Sequence, residues 1–254
     1  MADDGRRVPA VPPVRRLLGA REIAAALDAG TSIGCILVTR AGLSTAARAV
    51  VERARAAGVP VRRESPSEMR RMSPPGTRCE ALGLAGREPE ASLDTLLSGD
   101  GAVWLFARPD YPSNLGGAIR TVEVGGADGV VVDCAFGARE KETACRISMH
   151  AERFLPVLWA PAATVLDACP ARRRVIAVED TGTVAPWDVD LRGPILLVAG
   201  SERLGVPTAL LARCPEVIRI PMAGFIPAYN LQAAVAVVTG ERLRQLTPQP
   251  TPRG

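Results

Sequence analysis

The chain has 254 residues, 47% of them hydrophobic, with six scattered cysteines, one histidine and a net charge of +4, so one large domain or two ordinary domains with real cores are possible. No apolar run reaches the roughly 18 residues of a membrane span, and no apolar stretch like that of a signal peptide follows the first residues. We therefore expect a cytoplasmic protein with reduced thiols and no membrane partner. The lack of a CxxC pair argues against zinc, and no metal is expected.

The first part of the chain predicts a small α/β domain over residues 15–88, after a flexible arm at 1–14 that is rich in Pro and Arg. Ser44 is a possible cap for its second helix, and Gly58 a stop. The hydrophobic pattern predicts three helices and three strands, in the ranges 20–29 (helix), 35–38 (strand), 44–57 (helix), 59–61 (strand), 67–72 (helix) and 81–84 (strand).

Positive charge is concentrated in this first part. Residues 1–90 carry 15 arginines against 10 acidic residues, whereas residues 91–254 carry 16 basic against 17 acidic residues. All Phe, Tyr and Trp residues lie after residue 100, so a basic first domain would bind nucleic acid through phosphates and shape rather than by stacking bases. A solvated arginine-rich surface without a partner is the alternative.

Residues 88–101 are expected to be a linker with a short helical piece, and residues 100–246 a second α/β domain. Apolar strand-like runs alternate with helical patterns there, which predicts a parallel sheet covered on both faces. A last helix at 230–246 precedes a Pro-rich tail, 247–254, that we expect to be disordered. The predicted strands of this domain are 103–107, 129–132, 175–179, 195–199 and 217–220.

Three segments follow predicted strands, at the edge where open parallel sheets bind ligands. The first, residues 110–121, is a strand-to-helix junction in which Ser113 or Asn114 would cap the helix. The glycine pair 116–117 would lie on the helical face of Arg120 and leave a groove through which a substrate could reach the guanidinium. A surface arginine beside glycines kept for close packing is the alternative.

The other two segments are residues 197–207 and 218–230, where glycines follow buried strands and permit a ligand to approach the backbone. Neither contains the glycine pattern of a dinucleotide fingerprint or of a phosphate loop, so a nucleotide hydrolase is poorly supported. A serine hydrolase is poorly supported too, because Ser201 has no G-x-S-x-G context and His150 is the only histidine in the chain.

Together the three segments resemble the SpoU/TrmH branch of the SPOUT methyltransferases. The family's Asn-x-Gly motif, with an arginine six residues after the asparagine, is matched by Asn114, Gly116 and Arg120. Its Gly-x-Glu-x-x-Gly motif is matched by Gly200, Glu202 and Gly205. Its Ile-Pro-Met-x-Gly motif, followed by an asparagine at the head of the last helix, is matched by Ile220, Pro221, Met222, Gly224 and Asn230.

The resemblance implies an α/β fold with a deep trefoil knot in the C-terminal domain, S-adenosylmethionine as the cofactor, and a homodimer. It also implies that the first domain is ribosomal-protein-like and binds RNA, with rRNA favoured over tRNA. Knots are nearly absent from proteins, so general folding rules applied to the residues alone do not predict one.

The reaction implied by the resemblance is methyl transfer to a ribose 2′-hydroxyl. Arg120 would activate that hydroxyl electrostatically, because a guanidinium almost never gives up its proton. The implied catalytic set is Arg120, Asn114, Glu202 and Asn230. The residues implied to hold the cofactor are Val198, Ala199, Gly200, Gly205, Ile220, Met222, Tyr229 and Leu231.

Two segments depart from the family pattern. Ala228-Tyr229 stands where Ser-Leu is common, and residues 146–151 replace a Ser-Met-Gly-Ala-like segment, which makes Ser148 and His150 candidate substrate contacts. A structural His150 and a packing role for Tyr229 are the alternatives. The departures leave open a methyltransferase of the same fold that acts on a small molecule or peptide, and a third hypothesis is a non-catalytic RNA-binding relative.

Overall fold

The computed structural model describes residues 15–85 and 89–247, so the predicted arm at 1–14 and the predicted tail from residue 248 onward lie outside the described residues. The chain divides into two compact units between Glu90 and Ala91. No helix within the described ranges combines the length and the apolar character that crossing a membrane requires.

The first unit is a four-stranded mixed sheet with helices packed on it. The sheet has the strand order β1-β4-β2-β3, in which β4 is antiparallel to β1 and β2, and β3 is parallel to β2. Ser44 caps the second helix as predicted, because its hydroxyl accepts a hydrogen bond from the N–H of Ala47. The elements are β1 (Arg15–Leu18), α1 (Gly19–Asp28), β2 (Ile33–Thr39), α2 (Thr45–Ala56), β3 (Val61–Glu64), α3 (Pro66–Met72) and β4 (Ala81–Ala85).

Two strands of this unit differ from the sequence prediction. The pattern does not predict β1, a four-residue strand that opens with two arginines and buries Leu17. The third strand lies at 61–64 instead of 59–61, because Pro60 has no N–H to give to a ladder and contributes only its carbonyl, which accepts from the N–H of Ile36 at 2.8 Å.

The second unit contains a six-stranded sheet with the order β10-β8-β9-β5-β6-β7, and every pairing is parallel. This confirms the predicted α/β fold with a parallel sheet. The elements are α4 (Leu93–Ser98), β5 (Ala102–Ala107), α5 (Pro112–Val124), β6 (Gly129–Asp133), α6 (Ala138–Ile147), β7 (Val157–Trp159), α7 (Ala162–Asp167), β8 (Arg174–Val178), β9 (Ile195–Ala199), α8 (Thr208–Leu211), β10 (Glu216–Ile218) and α9 (Leu231–Leu246).

Helices cover both faces of this sheet. Helices α5, α6 and α9 share one apolar core with Trp104 and Phe106 of the central strand β5. Helices α4, α7 and α8 pack against the opposite face, where Leu105 of the same strand points. The division follows from the pleat, since successive strand residues point to opposite faces, and it explains why the central strands β5 and β9 are apolar at every position.

The segment 88–101, expected to be mostly linker, supplies α4 to the second unit, and Leu96 and Leu97 are buried in its core. Strand β7 is absent from the sequence prediction because three residues at the edge of a sheet leave too short a pattern. The predicted strands 175–179 and 217–220 end earlier, at Val178 and Ile218, because the chain turns there into ligand-edge loops.

One buried arginine fastens the amino-terminal edge of this sheet. Arg173 is 2% exposed, and its guanidinium donates to five backbone carbonyls that end α4 or open strands β5 and β9. Burial lowers the pKa of Arg173, an effect that the nearby carboxylate of Asp128 opposes. The hydrogen bonds run from Nε to Leu97 O (2.8 Å), from Nη1 to Gly101 O (2.7 Å) and Ile195 O (2.9 Å), and from Nη2 to Gly99 O (2.7 Å) and Leu96 O (3.3 Å).

Candidate active site

A cavity of about 340 Å³ opens beside the carboxyl-terminal ends of strands β8 and β9, where parallel sheets place their ligands. All but one of the residues predicted to hold a cofactor line it, namely Ala199, Gly200, Gly205, Ile220, Met222, Tyr229 and Leu231. Its remaining wall is formed by Val178, Glu179, Asp180, Ser201, Glu202, Arg203, Leu204, Pro227, Ala228 and Ala234.

Val198 is the exception, because its side chain does not line the cavity, and its assignment as a cofactor residue stays a prediction. Alternation along β9 turns Leu197 and Ala199 toward the core under α5 and α9, whereas Val198 is fully buried on the opposite face with α4 and α7. Its neighbour Ala199 is the residue that reaches the cavity.

The loop after β9 is built by contact of backbone with backbone. Ser201 and Gly205 exchange two hydrogen bonds, from Ser201 N to Gly205 O at 3.1 Å and from Gly205 N to Ser201 O at 2.9 Å. A Cβ on Gly200 would overlap the carbonyl group of Gly205, so no side chain fits at that position. Gly205 has a φ of +66°, a left-handed conformation that glycine adopts without strain.

Glu179 secures this loop from the neighbouring strand. Its Oε2 accepts a hydrogen bond from the N–H of Val206 at 2.5 Å and lies against Gly205, while Oε1 accepts from Asp180 N at 3.0 Å. The sequence prediction missed Glu179 because it was assigned to a strand. The sequence signal that could have identified it is the pair Glu179-Asp180 directly after a buried strand, since two adjacent carboxylates are uncommon inside a sheet covered on both faces.

Asn114 and Glu202 bring the first two motifs together. The Nδ2 of Asn114 donates to Oε1 of Glu202 at 2.8 Å, and the N–H of Asp110 donates to Oε2 at 3.3 Å. The two segments are tied a second time, because the N–H of Arg203 donates to Asp110 Oδ2 at 3.2 Å. The carboxylate of Glu202 is therefore held in a fixed place at the wall of the cavity.

Helix α5 begins differently from the prediction. Its N-cap is Tyr111, which makes no side-chain capping bond, and Pro112 occupies the first turn. Proline is favoured there because its φ suits the helix and its missing N–H would have had no partner. The predicted cap at Ser113 or Asn114 is therefore wrong, and the Asn114 amide is instead directed to Glu202.

The predicted groove beside Arg120 is wrong as well. Gly116 and Gly117 are buried, and a Cβ on Gly116 would lie 2.5 Å from the carbonyl oxygen of Ala144 in α6, while one on Gly117 would overlap Gln232 of α9. The glycines thus permit three helices to pack closely. Arg120 remains exposed, and its guanidinium has no hydrogen bond or ion pair to any residue that the structure describes.

Asn230 lies at the head of α9, between two residues of the cavity wall. Its Oδ1 accepts from the N–H of Ala233 at 2.8 Å, which makes it the N-cap of the helix. Within the described residues its Nδ2 has no partner. The side chain consequently has one group fixed by the fold and one group available to a ligand.

The two candidate substrate contacts on the segment after α6 do not line the cavity. Ser148 is 2% exposed, and its hydroxyl donates to Cys145 O at 2.8 Å and accepts from Ala151 N at 3.2 Å, so the contacts favour a structural role. His150 has a φ of +58°, and its Nδ1 lies 3.0 Å from Oε1 of Glu152.

Burial, together with the Glu152 carboxylate, raises the pKa of the Cys145 thiol to about 11, which makes it a poor nucleophile at neutral pH.

Comparison with known sequences identifies relatives of the second unit. The profile of the SpoU rRNA Methylase family matches residues 102–240. The 23S rRNA (guanosine-2′-O-)-methyltransferase RlmB of a Burkholderia species is 30% identical over 177 residues, which cover 64% of this chain and 70% of the relative. An uncharacterized tRNA/rRNA methyltransferase of Mycobacterium avium is 34% identical over 136 residues, 53% of this chain, and the match spans only 44% of that relative's length.

Comparison with solved structures identifies the same class of protein. The SpoU methyltransferase AviRb of Streptomyces viridochromogenes superposes with a TM-score of 0.57 at 26% sequence identity, over 91% of this chain and 89% of that chain. A second structure of AviRb contains the cofactor AdoMet.

Proposed function

The chain belongs to the SpoU rRNA Methylase family, and we propose that it transfers a methyl group from S-adenosylmethionine to a ribose 2′-hydroxyl of RNA, with rRNA as the favoured substrate. The names of two relatives support this, since RlmB is a 23S rRNA 2′-O-methyltransferase and AviRb has been solved with AdoMet. The observation that carries the proposal is the hydrogen bond from Asn114 to Glu202, which joins two family motifs at the wall of the cavity. A ribosomal substrate would also account for the cytoplasmic location predicted from the sequence.

The cavity fits the proposed cofactor in size and in chemistry. Its volume of about 340 Å³ lies in the range of small-molecule sites, which are mostly apolar with a few fixed polar groups. Ile220, Met222 and Leu231 supply apolar wall, and the side-chain-free backbone at Gly200 and Gly205 lets a ligand approach main-chain polar groups. When bound, S-adenosylmethionine supplies a methyl group activated by its sulfonium.

Three side chains are proposed to act on the ribose. Arg120, exposed and without a partner in the described residues, would stabilise negative charge as it develops on the 2′-oxygen. The hydroxyl proton would pass to solvent or to a phosphate of the RNA, because a guanidinium does not accept it. Glu202, fixed by Asn114, and the free amide of Asn230 would orient the nucleotide, and orientation alone contributes several kcal/mol to such a step.

The trefoil knot is part of the proposal. Residues 179–184 run closely beside the chain that leaves β10, because Glu179 N donates to Ile218 O at 2.9 Å and Arg219 N donates to Val184 O at 2.8 Å. A Cβ on Gly182 would lie 2.7 Å from the carbonyl carbon of Ile218. The contact continues the parallel pairing of β8 and β10, and the knot itself is proposed from the resemblance.

The homodimer is proposed from the surface around the cavity. Leu204, Phe225 and Ile226 are 88%, 103% and 77% exposed, and they belong to the second and third motif segments. Large apolar side chains this exposed indicate a contact with another protein, and the resemblance makes a second copy the partner. Light scattering after gel filtration would give twice the chain mass of 26.7 kDa.

The first unit is proposed to be the ribosomal-protein-like domain that holds the RNA. The carboxyl ends of β2 and β3 and the start of β4 meet at one edge of its sheet, because β2 and β3 are parallel and β4 is antiparallel to β2. Three exposed arginines lie at or next to this edge, which supports contact with RNA phosphates there. They are Arg40, Arg63 and Arg78.

The decisive experiment is transfer of labelled methyl groups from S-adenosylmethionine to total RNA and, separately, to a protein-free extract of small metabolites. We expect label in rRNA with the wild-type protein and a loss of 10²-fold or more with Arg120→Ala. Arg213→Ala is the matched control, because Arg213 is also exposed but follows α8 on the opposite face, where it pairs with Asp167 and a nearby carbonyl. Label found only in small metabolites would contradict RNA as the substrate and favour a small-molecule methyltransferase. Cofactor binding without any methyl transfer would favour a non-catalytic relative.

A further inference from the structure

The charged side chains that line the cavity are unbalanced. Glu179, Asp180 and Glu202 contribute three carboxylates, and Arg203 contributes one guanidinium, so the wall carries an excess of negative charge. Low-dielectric walls strengthen the field of such charges inside a cleft. Charge on a bound molecule will therefore affect how tightly the cavity holds it.

Two of these carboxylates are already engaged by the protein. Glu202 accepts hydrogen bonds from Asn114 and from the N–H of Asp110, and Glu179 accepts from the N–H groups of Val206 and Asp180. They hold the loops of the cavity in place, and their charge is partly neutralised by these donors.

Asp180 and Arg203 differ from the other two charged residues. Both are exposed at the rim, and in the part of the chain that the structure describes neither the Asp180 carboxylate nor the Arg203 guanidinium has a hydrogen bond or an ion pair. They are consequently the charged groups of the wall that are available to a ligand, and they have opposite signs.

Methyl transfer changes the charge of the molecule proposed to occupy this cavity. The bond from sulfur to the methyl carbon breaks, its electron pair stays on sulfur, and the 2′-oxygen forms the new bond and loses its proton. S-adenosylmethionine has a net charge of +1 from its sulfonium, ammonium and carboxylate groups, whereas the product S-adenosylhomocysteine has a net charge of zero.

We propose that Asp180 makes the cavity prefer the cationic cofactor to its neutral product, while Arg203 opposes this preference. The inference rests on the proposed function, because it takes S-adenosylmethionine as the ligand. A net negative wall attracts the sulfonium before the reaction and loses that attraction as soon as the methyl group has left. Spent product is then released in exchange for fresh cofactor.

The effect of one exposed carboxylate is moderate. Water and salt screen a charge at the rim of an open cavity, so the preference should change by about three- to tenfold when Asp180 is neutralised. The same preference should shrink between low salt and 0.5 M salt, since the screening length falls to a few ångströms.

The test is calorimetric measurement of the dissociation constants of S-adenosylmethionine and S-adenosylhomocysteine with the full chain. We expect Asp180→Asn to lower the ratio of product to cofactor dissociation constants about three- to tenfold, and Arg203→Gln to raise it. Asparagine preserves the size of the Asp180 side chain, and glutamine leaves a shorter, uncharged polar side chain in place of Arg203. An analogue in which a protonated amine replaces the sulfonium should follow the cofactor through both variants.

Opposite signs in the two variants separate charge selection from damage to the site, because a distorted cavity would weaken both ligands together. Unchanged ratios in both variants, with both ligands still bound, would overturn the inference and leave the proposed function intact. If the wild-type protein bound neither ligand, the proposed function itself would fail.

Discussion

The two edges of the six-stranded sheet differ in whether their charged side chains are hydrogen-bonded to the protein. At the amino-terminal edge, Arg173 is buried and its guanidinium makes five hydrogen bonds to main-chain carbonyls. At the carboxyl-terminal edge, backbone hydrogen bonds and the carboxylates of Glu179 and Glu202 hold the loop after β9. Asp180 and Arg203 there keep their charged groups free of any partner in the described residues. A side chain whose donors are all used by the protein stabilises the fold and has nothing left for a ligand.

Arg173 and Arg120 show the same contrast between residues of one type. Arg120 is exposed, with no hydrogen bond or ion pair to any described residue, so the fold gains little from its charge. The residue carries a permanent charge that can act on a substrate. Stability measurements and activity measurements should therefore separate these two arginines completely.

The largest effect on stability is expected for Arg173→Met. Methionine fills part of the space but removes five hydrogen bonds, although the carbonyl oxygens of Gly101, Leu96 and Gly99 each keep another donor. The free energy of unfolding should therefore fall by about 3–5 kcal/mol. Urea denaturation at pH 7 measures this. Arg172→Met is the matched control, because Arg172 is 47% exposed in its pair with Asp100 and should cost less than about 1 kcal/mol. Equal losses in the two variants would contradict the assignment of Arg173 as the fastening residue.

Gly200→Ala should affect the carboxyl-terminal edge next most strongly. The added methyl group would overlap the backbone of Gly205 and Val206, so the loop must move, at a cost of about 1–3 kcal/mol. We expect binding of S-adenosylmethionine, measured by calorimetry, to weaken at least about tenfold for the same reason. Gly224→Ala is the control, because a Cβ there meets open space. Unchanged cofactor affinity in Gly200→Ala would show that the loop does not form the ligand site.

The sequence was sufficient to predict the α/β class, the parallel sheet and the three ligand-edge segments. Each buried parallel strand is visible in the sequence as an apolar run. A glycine directly after such a run marks a loop in which two backbone segments lie in contact, as at Gly200. These are local signals. The resemblance then assigned the motifs, and the structure places Asn114 beside Glu202 across a separation of 88 residues.

The sequence was not sufficient where the outcome depends on tertiary contacts. Arg172, Arg173 and Arg174 are identical neighbours, yet one is in an exposed ion pair, one is buried among carbonyls and one pairs with Glu216 on β10. The glycine pair 116–117 has the same local pattern whether it opens a groove or admits a neighbouring helix. The outcome depends on α6 and α9, which pack against these two glycines in the folded protein.

Substitution of Asn230, which has one group bonded within the fold and one free group, should affect both stability and methyl transfer. Asn230 caps α9 through Oδ1 and keeps Nδ2 free, so Asn230→Ala should lower stability by about 1 kcal/mol and also reduce methyl transfer. Asn230→Ser restores a capping oxygen but no amide donor. We expect it to recover the melting temperature and not the activity, and recovery of both would reduce Asn230 to a helix cap.

The smallest effect is expected for His150→Gly, and it has the opposite sign. His150 has a φ of +58° and follows Met149 at +60°, a left-handed pair that costs a side-chain-bearing residue about 1 kcal/mol. Glycine removes this strain but loses the half-exposed contact with Glu152, which is worth only a few tenths of a kcal/mol. The glycine variant should therefore be more stable by about 0.5 kcal/mol in urea denaturation, whereas His150→Ala, which keeps the strain and loses the contact, should be less stable. Unchanged methyl transfer in both variants would indicate a structural role for His150. Loss of methyl transfer in both variants, with the glycine variant as stable as the wild type or more so, would indicate that His150 contacts the substrate.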